Sequence, residues 1–394
     1  MNVWSEYFQG VPDPRRPSFR LQHLLSDILG LALCAMLCGA DDFVEMELFA
    51  RSRQSFLQEK LGFMLPGGVP SHDTFTRVFA RLNPQVLEQC LLGWLKSWQE
   101  EEGGEEEEDS GRDWPRHLSL DGKVARGSFE HQTNVCALST VSVFASELRL
   151  MLGCARHKGP GGESRLVPCL LELLDLEGAV VTGDAAYCHK EVASFITDKG
   201  GDYVVALKGN HTRLLRQVQQ AFEGREGETG EGNQSLLVAE QGHGRQEERR
   251  VQCVKADELG LPPQVVAQWP GLQSVVQVQR TRTLHSGPKA GHTSRSVWFY
   301  LSSLAPEAEL LATTIRDHWS IENQAHWVLD VVFAEDRCRT RREHAPYNLA
   351  LLRRICLNLL RQNQGNNSLK ATRKEVTWNQ LLLVQILHTP IALA

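Results

Sequence analysis

The order of apolar runs between residues 114 and 222 constrains this chain more than any other feature. His117 to Asp121, Asn134 to Phe144 and Leu148 to Ala155 read as three successive strands. Glu163 to Asp175 then shows helical spacing through Leu166, Leu170, Leu173 and Leu174. Gly178 to Thr182 is a continuous apolar strand, Lys190 to Lys199 is helical, and Asp202 to Leu207 is another buried strand. The order β-β-β-α-β-α-β predicts an α/β layer on a mixed sheet. The first and fourth strands would be neighbours in such a sheet.

Two acids fall at the ends of those two strands. Asp121 closes the first, in Leu118-Ser119-Leu120-Asp121-Gly122-Lys123, and Asp184 follows the fourth, in Val181-Thr182-Gly183-Asp184-Ala185-Ala186. Open α/β sheets place ligands at such an edge. Gly122, Gly183 and Ala185 leave room beside the acids for a substrate backbone. Carboxylates this close repel unless a cation joins them, and an all-oxygen donor set favours Mg²⁺ or Mn²⁺ over zinc. Taken singly, either aspartate reads more simply as a turn cap. A two-metal site needs a third acid. Glu322, in Arg316-Asp317-His318-Trp319-Ser320-Ile321-Glu322-Asn323, is the candidate on a helix that would cross the sheet, with Glu335 and Asp336 as competitors.

Around this core the chain divides by composition. Residues 1–98 read as a helical domain. Its most apolar run, Leu24 to Ala40, contains Asp27 and is too short for a membrane span, so it predicts a buried helix. Ser71 fits an N-cap for a helix carrying Phe75, Val78 and Phe79, and Pro84 to Trp98 reads as another amphipathic helix. Residues 99–113 form a low-complexity acidic linker. Residues 114–222 are the first part of the core. Residues 223–305 read as a β-rich insertion, with strands over Arg249 to Val254, Ser274 to Arg280 and Val297 to Leu301. Residues 306–362 return to helix, and 363–394 read as a C-terminal tail.

Charge is uneven along these segments. The net charge is −6 over 394 residues, but residues 99–112 alone carry −7, so the remainder carries +1. Residues 335–374 hold ten Lys or Arg against three acids, a patch able to meet phosphate. The hydrophobic fraction of 42% excludes wholesale disorder. The polar first residues predict no secretory signal, and cysteines without a Cys-x-x-Cys pair argue against a zinc site or a disulfide framework. A reduced cytoplasm is the expected compartment.

The stretch His318-Trp319-x-Ile321-Glu322-Asn323-x-x-His326-Trp327-x-Leu329-Asp330-Val331-x-Phe333-x-Glu335-Asp336 resembles bacterial insertion-sequence transposases of the DDE type, most closely the H-repeat-associated branch. Further matching motifs are Asp121-Gly122-Lys123-x-x-Arg126-Gly127, Gly183-Asp184-Ala185, and Asp202-Tyr203-Val204-x-Ala206-Leu207-Lys208-x-Asn210. Others are His243-Gly244-Arg245 and Pro346-x-Asn348-Leu349-Ala350-x-Leu352-Arg353-Arg354. Pro70-Ser71-His72-Asp73-Thr74-Phe75 matches the leader domain, and the resemblance covers roughly residues 15–362.

The resemblance implies a ribonuclease-H-like core. It also implies Asp121, Asp184 and Glu322 as a catalytic triad holding two Mg²⁺ or Mn²⁺ ions. The activity implied is cutting of insertion-element ends and their joining to target DNA. The partners implied are the terminal inverted repeats and target DNA, with a homodimer formed on DNA, nucleoid-associated when bound, and no membrane. Lys123, Arg126, Lys208, Asn210, Arg245, His318, Trp319, Asn323 and Arg339 are the expected DNA contacts. The chain departs from the family pattern over His157 to Glu163 and in its acidic blocks, so a silent DNA-binding derivative stands as the alternative. A metal-dependent nuclease of repair or defence is a further one.

Overall fold

The computed structural model describes residues 8, 10–18, 21–89, 116–129, 136–157, 162–172, 174–223, 225, 233–242, 244–288 and 290–388. The acidic linker 99–113, the helix expected beyond Gln89, the loop at 158–161 and most of the acidic stretch 223–232 lie outside the described residues. Helices α1 (Leu25–Leu37), α2 (Phe43–Ser52), α3 (Gln54–Leu61) and α4 (His72–Arg81) come first. Strands β1 (Arg116–Ala125), β2 (Leu138–Ala145) and β3 (Leu150–His157) follow. Next come α5 (Val167–Leu171), β4 (Ala179–Gly183), α6 (Lys190–Asp198), β5 (Asp202–Leu207) and α7 (Thr212–Glu223). Four long strands, β6 (Asn233–Gly242), β7 (Arg245–Lys255), β8 (Ser274–Leu284) and β9 (Thr293–Ser302), lead to α8 (Ala308–Asp317). A π-helical turn (Ile321–His326), α9 (Trp327–Val331), α10 (Ala345–Gln362), α11 (Leu369–Trp378) and α12 (Gln380–His388) complete the order. No helix among the described residues is long and apolar enough to cross a membrane.

The β-β-β-α-β-α-β order of the core is present, with one change. The helical spacing of 163–175 gives a short 3₁₀ turn and then the brief α5, because Pro168 is tolerated only in the first turn of a helix.

The chain divides into two compact units. The first comprises Met1–Ser110, Gly122–Pro160 and Glu322–Ala394. Its centre is α1, buried on nearly every side, with Asp27 accepting a hydrogen bond from the Leu65 amide at 3.0 Å. Strands β2 and β3 form an antiparallel hairpin beside the second half of β1. Helix α10 holds this unit together through polar side chains as well as apolar ones. Asn348 donates to the carbonyls of Phe79 and Leu82 at the end of α4, and Asn358 pairs with both backbone groups of Met151 in β3. The leader helices therefore do not stand as a separate body.

The segment expected as a tail is also part of this unit. Arg373 of α11 is buried and donates to the carbonyls of Met36 and Ala40 and to the Asp41 carboxylate. Those carbonyls belong to the end of α1 and its exit, where four backbone acceptors lack helical partners. Arg353, Arg354 and Arg373, three of the ten basic residues read as a patch able to meet phosphate, are buried. Arg354 is neutralised by Glu335 at 2.9 Å, and Arg353 donates to Phe333 and Asp41 carbonyls.

The second unit comprises Gly111–Asp121 and Gly161–Ile321. Its strands run in the order β1-β4-β5-β9-β8-β7-β6. Strands β1, β4 and β5 are parallel, and β9, β8, β7 and β6 continue antiparallel. The expected β-rich insertion thus extends the core sheet directly, through pairs from Val204↔Ser302 to Leu207↔Phe299. Helix α8 covers one face with Leu311 and Ile315 against Val180, Val204, Val251, Val276 and Val278.

Candidate active site

The first and fourth strands are neighbours, as their order predicts. They pair in parallel from Arg116↔Ala179 to Leu120↔Gly183. Asp121 and Asp184 each come one residue after the last of these pairs, Asp121 within β1 and Asp184 just past the end of β4. Neighbouring strands lie about 4.8 Å apart, and register partners on parallel strands present their side chains to the same face. Ser119 and Thr182, two residues earlier, share that face, with their hydroxyls 3.4 Å apart.

The face beneath the two acids is polar and buried. His117 Nε2 lies 2.9 Å from Thr182 Oγ1, and His318 Nδ1, just beyond α8, lies 2.9 Å from the same oxygen. Burial, and secondarily the nearby His318, push the His117 pKa down to about 3, so its imidazole is neutral. On the opposite face Tyr187 packs against Gly183, where an added Cβ would come within 2.8 Å of the tyrosine Cβ. The Tyr187 pKa is driven up, first by burial and then by the negative charges of Glu163, Asp121 and Asp184. Its hydroxyl therefore stays protonated near the acid pair.

The loop after Asp184 is held from two sides. The Asp184 carboxylate accepts from the Ala186 amide at 2.8 Å, which fixes its rotamer in a turn. Asn210 donates to the Ala185 carbonyl at 2.7 Å, and His211 lies 2.6 Å from the Cys188 carbonyl. Asn210, expected to touch DNA, braces the acid-bearing loop in this structure. Lys208, just before it, is exposed.

In the first unit, Glu322 and His326 occupy the π-helical turn, with Glu322 Oε2 3.4 Å from His326 Nδ1. The expectation was an ordinary helix. π-Helical turns concentrate at functional positions. Glu322 is exposed and His326 is buried. The same unit explains the Asp-Gly-Lys-x-x-Arg-Gly motif beyond its aspartate. Lys123 is buried, with Asp330 at 2.7 Å, Asp336 at 3.9 Å and Glu335 at 4.0 Å. Lys123, expected to touch DNA, is paired with these carboxylates in this structure. Gly127 lies so close to the backbone of Asp336 and Cys338 that a Cβ would meet their carbonyl oxygens at 2.5 and 2.8 Å. Arg126 is exposed and lies 3.9 Å from Asp336.

Arg245, Asn323 and Arg339 are exposed, as are Trp319 and Trp327. His243 lies outside the described residues. Sequence reasoning passed over His117, Ser119 and Thr182. The signal was present in the strict alternation His117-Leu118-Ser119-Leu120-Asp121, a strand polar on one face and apolar on the other.

Two family models match the chain. One, described as DDE_Tnp_1-associated, covers residues 5–95, and the other, Transposase DDE domain, covers residues 114–359. The chain is 32% identical to the "H repeat-associated putative transposase YhhI" of Escherichia coli K12, across 90% of this chain and 89% of that protein. It is also 32% identical to the "Putative transposase YncI" of Escherichia coli O157:H7, across 97% and 93% respectively. Among solved structures, a piggyBac transposase synaptic complex with hairpin DNA overlaps 100% of this chain and 79% of its own, with TM-score 0.43 and 10% identity. That likeness is too slight to bear on the fold.

Proposed function

The chain belongs to the family of DDE transposases, and from that premise we propose that it cuts DNA at the ends of a mobile element and joins the freed ends to target DNA. The observation that carries this reading is the parallel pairing of β1 with β4 up to Leu120↔Gly183, one residue before Asp121 and Asp184. Glu322 is the proposed third acid, on the family's motif. The donors suit the implied metal, because carboxylate oxygens are hard ligands fit for Mg²⁺ or Mn²⁺. When bound, two such ions would activate the attacking water or 3′-hydroxyl and stabilise the departing oxygen.

The chain's own side chains serve that chemistry in distinct ways. Asp121 and Asp184 offer acceptor oxygens on one face, and the Ala186 amide fixes the direction of Asp184. Tyr187 closes the opposite face with an apolar ring. Arg126, Lys208, Arg245 and Arg339 are exposed cations suited to phosphate oxygens, Asn323 is an exposed amide, and Trp319 offers a flat face to an unpaired base. Lys123, Asn210 and His318 brace the fold that carries the acids. Cutting two ends together calls for two copies, so a DNA-bound homodimer is part of the proposal.

The test uses the purified protein, Mn²⁺ and labelled DNA carrying the flanks of its gene. Cleavage at the element boundary that Asp184→Asn abolishes would support the reading. Binding without cleavage would point to a silent DNA-binding derivative, and neither would overturn it.

A further inference from the structure

Thr182 touches both histidines beneath the acid pair. Its hydroxyl lies 2.9 Å from His117 Nε2 on β1 and 2.9 Å from His318 Nδ1 beyond α8. It also reaches the Leu118 carbonyl and the Ser119 hydroxyl, each at 3.4 Å. Thr182 and His117 are buried, so the bond between them forms where water does not compete, and the bond to His318 is part-buried. A hydroxyl has one hydrogen and two acceptor sites. It can therefore bridge both rings at once, donating to one and accepting from the other, or accepting from both while it donates to the Leu118 carbonyl.

The placement along the strands gives this bridge its consequence. Thr182 precedes Asp184 by two residues and shares its face. His117 precedes Asp121 by four on the neighbouring strand and shares that face as well. His318 precedes Glu322 by four in the chain. We propose that Thr182 is a positioning residue, whose hydroxyl ties the two acid-bearing strands to each other and to the chain leading into Glu322. The inference rests on the transposase reading for the identity of the metal, but its claim concerns this chain's own hydrogen bonds. Side chains behind metal ligands, without touching the ion, commonly govern affinity by factors of about 10–100. Without the bridge, β1 and β4 keep their backbone pairing. The acids lose the cross-strand and helix-end restraint that sets their mutual direction.

The experiment measures Mn²⁺ binding directly, by electron paramagnetic resonance of the free ion, alongside thermal melting. The variants are Thr182→Val, which keeps the shape and removes the hydroxyl, and Thr182→Ser, which keeps the hydroxyl. His318→Asn, with an amide near the position of Nδ1, and His318→Phe extend the series. Thr182→Val and His318→Phe should weaken Mn²⁺ binding about tenfold. Thr182→Ser and His318→Asn should stay within about threefold of wild type, the expected retention if the bond alone matters. Equal Mn²⁺ binding by Thr182→Val and Thr182→Ser, with both folded, would overturn the proposal. So would a loss in Thr182→Val that disappears when binding is compared at equal distance below each melting temperature. Asp184→Asn provides the separate check, since undiminished Mn²⁺ binding there would count against the metal site itself and not against the bridge.

Discussion

Asp121 and Asp184 are 63 residues apart in the chain, and 63 is also the register offset between their strands, from Arg116↔Ala179 to Leu120↔Gly183. The spacing of the two acids and the pairing of the two strands are thus the same number. Insertion or deletion of one residue in β4 would send Asp184 to the opposite face, because side chains alternate along a strand.

Lys123 answers three carboxylates from a buried position. Lys123→Met should destabilise the protein by about 3 kcal/mol, the usual consequence of leaving buried charge uncompensated. Adding Asp330→Asn to that variant should recover part of the loss. Urea unfolding of the single and double variants checks this, and a fully additive pair of losses would contradict it.

Gly127 meets backbone and not a flexible side chain. Gly127→Ala should cost about 1–3 kcal/mol through overpacking against Asp336 and Cys338. Gly209→Ala, where a Cβ meets nothing within 4 Å, serves as the control. Equal melting temperatures for the two variants would remove the packing argument.

Two titrations should act in opposite directions. Burial raises the Glu88 pKa to about 7, only partly offset by hydrogen bonds that include the Tyr347 hydroxyl. Its contribution is complete below the unfolded value near 4.5 and is lost as pH rises through about 7. Glu88→Gln should therefore raise stability at pH 8 relative to wild type. His117 is depressed to about 3, so its contribution is present above about 6.5 and is lost as pH falls below that toward 3. His117→Gln should flatten the acid side of the stability profile. Melting temperatures between pH 4 and pH 9 test both, and unchanged slopes in either variant would contradict the corresponding assignment.

Much of the second unit was legible because periodicity reports local structure. Asp202–Leu207 is the strand expected, and the two acids sit where apolar runs end. What was not legible depends on partners distant in sequence. Arg373 reads as a solvent-facing charge until Asp41 and the end of α1 close around it. The pairing of Lys123 with Asp330, 207 positions away, is equally invisible to local pattern. The β-rich stretch reads as an insertion because alternation marks strands but not which strand they join, and the pairing of β9 with β5 is set by the whole sheet. The π-helical turn of Glu322 differs from an α-helix by a single widened turn, which no spacing of apolar residues announces.

Asp121 and Asp184, one residue past the last β1–β4 pair, are proposed with Glu322 to carry out metal-dependent DNA cleavage. The most direct measurement uses end-labelled DNA spanning the boundary of the element, with Mg²⁺ or Mn²⁺. Wild type is compared with Asp121→Asn, Asp184→Asn, Glu322→Gln and the exposed control Glu343→Gln. The account predicts boundary cuts by wild type and control, and at least a thousandfold loss (on the order of 10³, as for removal of a key transition-state stabiliser) in the other three, with DNA binding retained. Boundary cutting that persists in Asp121→Asn or Asp184→Asn would contradict it.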